Sequence, residues 1–387
     1  MDSMPMKPQP DWAPRSDAVL SNQIKAYDAM RRRCPVAYSQ YLGWSIFRHE
    51  DVVRVLEDHR TFSSAVSSHL SVPSGMDPPQ HTAYRRLIER HFEPARIEAF
   101  EPLCRTISVD LVSGLERGVE IDLVTQLARL FAVRMQCAFL GWPDSLHEPL
   151  LAWVLKNHEA TLARDTAAMA TIALEFDGYI SALLEARRQA GAAAPEDITT
   201  DLLRERIGDR LLDHEEIVSI LRNWTVGELG TITACVGILG HFLAQNPQIQ
   251  QQLRENLHML PAAIDEILRI HPPLISNRRV ATAPVEIGGR RIEAGERITI
   301  MWASANRDEA VFGDPDEFRL DRDPALNLLY GHGIHVCPGA RLARLELRVI
   351  TEELLKQTRQ ISPADARQPT LAVYPASGFS ALPLKLS

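Results

Sequence analysis

The chain reads as a mainly α-helical protein with small β-sheets folded as one body, and three observations carry that reading. Amphipathic helical periodicity fills residues 103–188 and returns after residue 200 up to residue 246. β-type residues punctuated by glycine turns are concentrated after Pro272 and Pro273. No linker or shift of composition marks a seam, although 387 residues leave room for two or three domains.

Residues 1–17, "MDSMPMKPQPDWAPRSD", are polar and Pro-rich and are expected to form a disordered lead before one domain over residues 18–387. "WSIFRHEDVVRV" from Trp44 reads as a short strand and then a helix opening near His49. "DPPQHTAYRRLIERHFEPARI" from Asp77 reads as a Pro-initiated helix with basic residues throughout. Residues 191–200, "GAAAPEDITT", form the best loop candidate. A small sheet is expected from Arg278 to Asp308, with turns at Gly288–Gly289 and at Ala294–Gly295. Residues 311–327, rich in Pro, Asp and Phe, look irregular. A last long helix is expected over about 340–357, with strands closing the chain.

A formal net charge of -8 argues against a nucleic-acid footprint. No bilayer-spanning apolar run and no secretory h-region are read from the sequence, so a cytoplasmic monomer that does not engage membranes is the expectation. Cys34, Cys104, Cys137, Cys235 and Cys337 are odd in number and scattered, with no C-x-x-C pair. A disulfide scaffold or zinc ribbon is therefore not expected.

The sharpest local signal is "LLYGHGIHVCPGARLARLEL" over residues 328–347. Gly331, Gly333 and Gly339 bracket Cys337, and glycine lets a backbone approach a flat ligand closely. A helix begins just after the cysteine, and its free N–H groups favour an anionic sulfur. Taken alone, the segment could be a capping glycine turn around a buried cysteine. The string nevertheless resembles the haem-binding loop of cytochromes P450, F-G-x-G-x-H/R-x-C-x-G, at every position but one. Tyr330 stands where Phe is usual and keeps an aromatic platform.

The resemblance extends along nearly the whole chain. "AIDEILRIHPP" is similar to the family's E-x-x-R helix; Glu266 and Arg269 share a helix side at i, i+3, and Arg322 in "FRLDR" is implied as their partner. "SANRDEAVFGDPDEF" resembles the entry to the family's meander. His81, Arg85, Arg279 and His335 occupy positions that imply clamps for the haem propionates, where Arg suits a carboxylate fork. The resemblance thus implies a P450 fold with haem b (iron protoporphyrin IX) held axially by Cys337. It further implies electrons from NAD(P)H through an external ferredoxin or flavodoxin and its reductase, and a small hydrophobic substrate that is hydroxylated or O-dealkylated.

The helix "ILRNWTVGELGTITACVGIL", residues 220–239, stands at the family's oxygen-activating helix but departs from A/G-G-x-D/E-T-T/S. Aligned on Gly227, it has Leu229 at the acid position and Gly230 at the threonine position, followed by Thr231. Its order is similar to haem domains of a reductase-fused subgroup, which leans toward small aromatic substrates. Gly227 and Gly230 would leave room for dioxygen, and Thr231 with Glu228 could relay protons. Alternatively, Glu228 pairs with Arg222 and Thr231 bonds back to the helix. The departure also leaves open a peroxide-driven or oxygen-independent enzyme, and beyond it a haem sensor without turnover.

Two further expectations come from single residues. Pro338 has no N–H and removes one donor from the sulfur, predicting stronger electron push than leucine would give. Arg341, Arg344 and Arg348 share a stripe of the last helix and are expected to dock an acidic redox protein. Substrate contacts are expected from residues before Val226 and from residues 47–71, 150–188, 274–277 and 375–379.

Overall fold

The computed structural model describes residues 8–387. Its centre is the 32-residue helix His214–Gln245, opened by a capping box in which the Asp213 carboxylate accepts from the Glu216 amide and Glu216 answers to the Asp213 amide. Four helices pack around it: Arg129–Leu140, Thr166–Ala190, Leu260–Ile270 and Ala340–Gln357. Pro94–Ser113 lies against the outer side of Ala340–Gln357. One apolar cluster, including Leu127, Phe131, Leu229, Val236, Ile264 and Leu347, runs through all these interfaces.

A five-stranded sheet flanks this helical mass, in the order Val36–Ser39, Gly43–Ile46, Arg297–Ile300, Asn277–Ala281, Phe62–Ser63. The predicted turns are present, with Gly288, Gly289 and Gly295 at positive φ. The sheet is larger than expected, because Gly43–Ile46 pairs in parallel with Arg297–Ile300 in the register Ile298↔Trp44. Glu120–Asp122 joins the C-terminal strands Ile361–Pro363 and Pro383–Leu386, and a hairpin turns at Gly208. Both lie inside stretches read as helical or loop.

Residues 1–7 of the expected disordered lead lie outside the described residues. Within the described part of that lead, Asp11 and Trp12 are held against the body. The Asp11 amide donates to the Tyr38 carbonyl at 2.9 Å, the Tyr38 amide donates to the Asp11 carboxylate at 2.7 Å, and Trp12 sits edge-on against Tyr27 and Phe47. One correction concerns apolar runs. Thr166–Ala193 and His214–Gln245, with mean hydropathies of 1.3 and 1.5, are each long and apolar enough to cross a membrane. The second owes its hydropathy to being ringed by other helices.

Candidate active site

Cys337 sits between a tight turn and a helix. Gly331 and Gly333 have φ of +80° and +69°, which β-carbon-bearing residues rarely adopt. A side chain at Gly333 would also collide with the Leu56 carbonyl at 2.6 Å. The Cys337 amide donates to the Tyr330 carbonyl at 2.8 Å, closing the loop, and Ala340–Gln357 starts three residues later. Cys337 is exposed on the open side of its loop, while the protein packed behind it desolvates the thiol and pushes its pKa up, opposed by the Gly339 amide, reinforced by Glu228 and opposed again by Arg85 and Arg344. The protein's own donors therefore leave the thiol above its usual range, contrary to the lowering expected from the helix start. A coordinated metal ion would supply the missing positive charge.

The four expected clamps converge beside this loop. His81 and His335 lie with ring centroids 4.3 Å apart and planes tilted at 55°, and His335 is anchored by Ser64 at 2.9 Å. Burial pushes His335 down to about 3, with His81 and Arg279 adding to the shift. Arg279 is 6% exposed, among the described residues its side chain's only hydrogen bond runs to the Arg278 carbonyl, and burial lowers its pKa. Arg85 donates to the Val336 carbonyl at 2.6 Å. His81 Nε2 and the Tyr330 hydroxyl are buried without partners. Arg279, a buried guanidinium with no carboxylate partner among the described residues, and the orphaned His81 Nε2 fit a ligand that brings carboxylates to them. These donors suit the propionates of a haem, which Cys337 would hold through its sulfur.

The structural triad is present as expected. Glu266 accepts from Arg269 at 2.7 and 2.9 Å and from Arg322 at 2.9 Å. Arg269 is 1% exposed and also donates to the Asn306 and Pro315 carbonyls.

On the oxygen-side helix, β-carbons added at Gly227 or Gly230 would meet nothing within 4 Å, so both glycines border open space. Leu229, at the usual acid position, is buried in the core. Arg222 is bound bidentately by Asp177 at 2.8 Å, which removes it as a partner for Glu228. Thr225 and Thr233 donate back to the helix carbonyls of Leu221 and Leu229, whereas no such bond is made by Thr231. Glu228 points instead to Glu346 on the cysteine helix.

Sequence reading missed Ser64 and Glu346. For Ser64 no local signal exists, since it acts across 271 residues. Glu346 had one: it interrupts the apolar stripe Leu342, Leu345, Val349, Ile350 at helical spacing. The expected substrate-contact segments are brought together only in part. A cavity of about 430 Å³ is lined by Ile275, Ser377, Gly378 and Phe379 along with His241 and His271, but not by the Cys337 loop or by Gly227–Thr231.

Comparison with known proteins agrees with this geometry. The sequence model of the family described as Cytochrome P450 matches residues 143–373. Cytochrome P450 109 of Bacillus spizizenii is 31% identical over 93% of this chain and 91% of its own length. Erythromycin C-12 hydroxylase of Saccharopolyspora erythraea is 33% identical over 84% of each chain. Among solved structures, P450 EryK in complex with erythromycin B superposes with a TM-score of 0.86 at 29% identity, over 95% of this chain and 96% of that one. CYP109E1 from Bacillus megaterium in complex with corticosterone gives 0.84 at 26% identity, over 94% and 98%. A closed cysteine loop, the Glu266–Arg269–Arg322 ion pairs and a superposable helical frame thus occur together, and the chain belongs to the cytochrome P450 family.

Proposed function

We propose that this P450 monooxygenase holds haem b through Cys337, with His81, Arg85, Arg279 and His335 clamping the propionates and Tyr330, Gly331 and Gly339 shaping the proximal pocket. The observation that carries the reading is the Cys337 loop closed on Tyr330 beside the buried Arg279 and the orphaned His81 Nε2. Bound haem supplies the redox chemistry that activates dioxygen and inserts one oxygen atom into substrate. Gly227 and Gly230 keep the opposite helix bare where dioxygen enters. Thr231, whose hydroxyl is free of the helix, passes protons onward with Glu228.

Electrons arrive from NAD(P)H through an external ferredoxin or flavodoxin and its reductase, and the protein works as a cytoplasmic monomer. The relatives' names, an erythromycin hydroxylase and a corticosterone complex, favour a bulky alicyclic substrate over a small aromatic one. Hydroxylation or O-dealkylation of such a molecule is the reaction we assign. Leu229 at the acid position supports a second reading, a peroxide-driven enzyme; higher product yield with hydrogen peroxide than with a ferredoxin system would establish it.

The primary test is Cys337→Ser. The reduced, carbon-monoxide-treated wild type should show the thiolate-type Soret band, and the variant should lose both that band and substrate turnover. Intact turnover in the serine variant would refute the assignment.

A further inference from the structure

The cavity of about 430 Å³ borders neither the Cys337 loop nor Gly227–Thr231. Three elements wall it: the helix Gln23–Arg33, the late half of His214–Gln245, and the hairpin of Thr370–Leu371 with Phe379–Ala381. Its surface is mainly apolar, with Ile24, Ile238, Leu371 and Phe379. Two histidines interrupt that surface. His241 lies against the Phe379 ring, with centroids 4.5 Å apart and planes tilted at 40°, and His271 stands nearby. Among the described residues neither imidazole makes a hydrogen bond. The protein packed behind the rings desolvates them, which lowers the His241 pKa and pushes His271 down to about 4. Arg307, His241 and Arg269 add to the shift at His271, and Asp316 opposes it. Each ring is therefore neutral near pH 7 and keeps one N–H donor and one bare acceptor nitrogen. Arg307 and Asp316, which also reach the wall, are spent on each other at 2.7 Å, and Arg307 further on Asp28 and the Ile270 carbonyl. The cavity thus has unused hydrogen-bonding capacity and no free charge.

We propose that this cavity is a second small-molecule site, separate from the haem pocket, that takes a neutral phenol and steadies the C-terminal hairpin when filled. Each part of that description follows from the wall. A phenolic hydroxyl both donates and accepts, so one group meets both kinds of unused capacity on the imidazoles. An aromatic body suits the His241–Phe379 pair and the aliphatic side chains around it. A carboxylate would find no unpaired cation and would lie beside Asp316, and an ammonium would meet Arg307. The volume lies within the range of ordinary ligand pockets and admits a molecule of one or two rings. A body filling it gains dispersion contacts that the empty wall lacks. The hairpin is the element such a molecule would hold. Gly378 approaches the long helix so closely that a β-carbon there would lie 3.3 Å from Ile238 and 3.4 Å from the Ala234 carbonyl. Ser377 donates to the Pro272 carbonyl at 2.6 Å, and Gln23 donates to the Ala372 carbonyl at 3.2 Å. Between these anchors the hairpin spans the cavity, and Leu371 remains half exposed.

Equilibrium dialysis and amide hydrogen exchange of the holoenzyme with 2-naphthol test this. Wild type should bind one equivalent of 2-naphthol more than either His271→Leu, which removes an imidazole, or Leu371→Trp, which fills the void. Naphthalene has the same body without the hydroxyl and should bind that site roughly three- to tenfold more weakly, the scale of one net hydrogen bond. The ligand should slow amide exchange over residues 370–381 in wild type and leave it unchanged in His271→Leu. Any 2-naphthol that enters the haem pocket is told apart by its Soret shift, which both variants should retain. If His271→Leu does not fold, Leu371→Trp carries the same readouts. Binding indifferent to both variants, or naphthalene held as tightly as 2-naphthol, would overturn the site. An equivalent lost in both variants without slower exchange in wild type would overturn the hairpin's part while the site stands. None of these readouts uses turnover, so their failure is distinct from a failure of the monooxygenase reading.

Discussion

Glu266 bridges two guanidiniums with one carboxylate, and one of them, on Arg269, has almost no access to water. Four hydrogen bonds fix the Arg269 fork: two to Glu266, one to the Asn306 carbonyl and one to the Pro315 carbonyl. Arg322 reaches the Asp314 carbonyl at 2.7 Å and the Glu317 carbonyl at 3.1 Å. The triad thereby ties Leu260–Ile270 to the irregular segment that leads into the Cys337 loop. Glu266→Ala strands a buried cation, a change that typically costs about 3–5 kcal/mol. Chemical unfolding should show that loss, with haem released early in the transition; a cost under about 1 kcal/mol, the scale of an exposed pair, would reduce the triad to surface decoration. The i, i+3 spacing of Glu266 and Arg269 was legible in the sequence because a helix alone brings them together. Arg322 was reached only through family resemblance, since 56 residues of chain separate it from its partner.

At the scale of elements, what could be read locally was read. The periodicity gave Ala340–Gln357 at its observed ends, and Gly288–Gly289 marked a real turn. Glu120–Asp122 was hidden because three residues show no alternation, and its strand partners lie near the C-terminus. The parallel pairing of Gly43–Ile46 with Arg297–Ile300 was hidden for the same reason: nothing local encodes a partner more than 250 residues away. The oxygen-side helix tests an element's two duties against each other. Glycine inside a helix costs about 0.5–1 kcal/mol relative to alanine, and a β-carbon at Gly230 meets no atom within 4 Å. Gly230→Ala should therefore raise the resistance to unfolding by about that amount. On the proposed function the same methyl lies where dioxygen enters, so carbon monoxide affinity of the reduced holoenzyme should fall. Unchanged affinity would mean that Gly230 faces away from the haem.

The whole molecule carries a net charge of -8, so an acidic electron carrier approaching it meets repulsion except where cations cluster. Three arginines on the cysteine helix were the sequence's candidate for such a cluster, and their surroundings now divide them. Arg344 is held by Asp265 and lies over the Tyr330 ring at 4.3 Å. Arg348 is shared between Glu101 and Glu352. Arg341 is exposed, one turn past Cys337, and among the described residues it has no ion-pair partner. An arginine already paired offers little net field, whereas an unpaired one beside Cys337, where the proposed electron transfer enters, steers encounter. Reversal at Arg341 should thus act mainly on association: Arg341→Glu should slow reduction by ferredoxin at low salt by roughly tenfold, a rim-charge effect. The deficit should shrink as ionic strength rises, because a Debye length near 10 Å at 0.1 M screens an exposed charge. Reduction by dithionite, which needs no docked protein, should stay at the wild-type rate. A variant reduced by ferredoxin as fast as wild type at low salt would place the docking face away from the start of this helix.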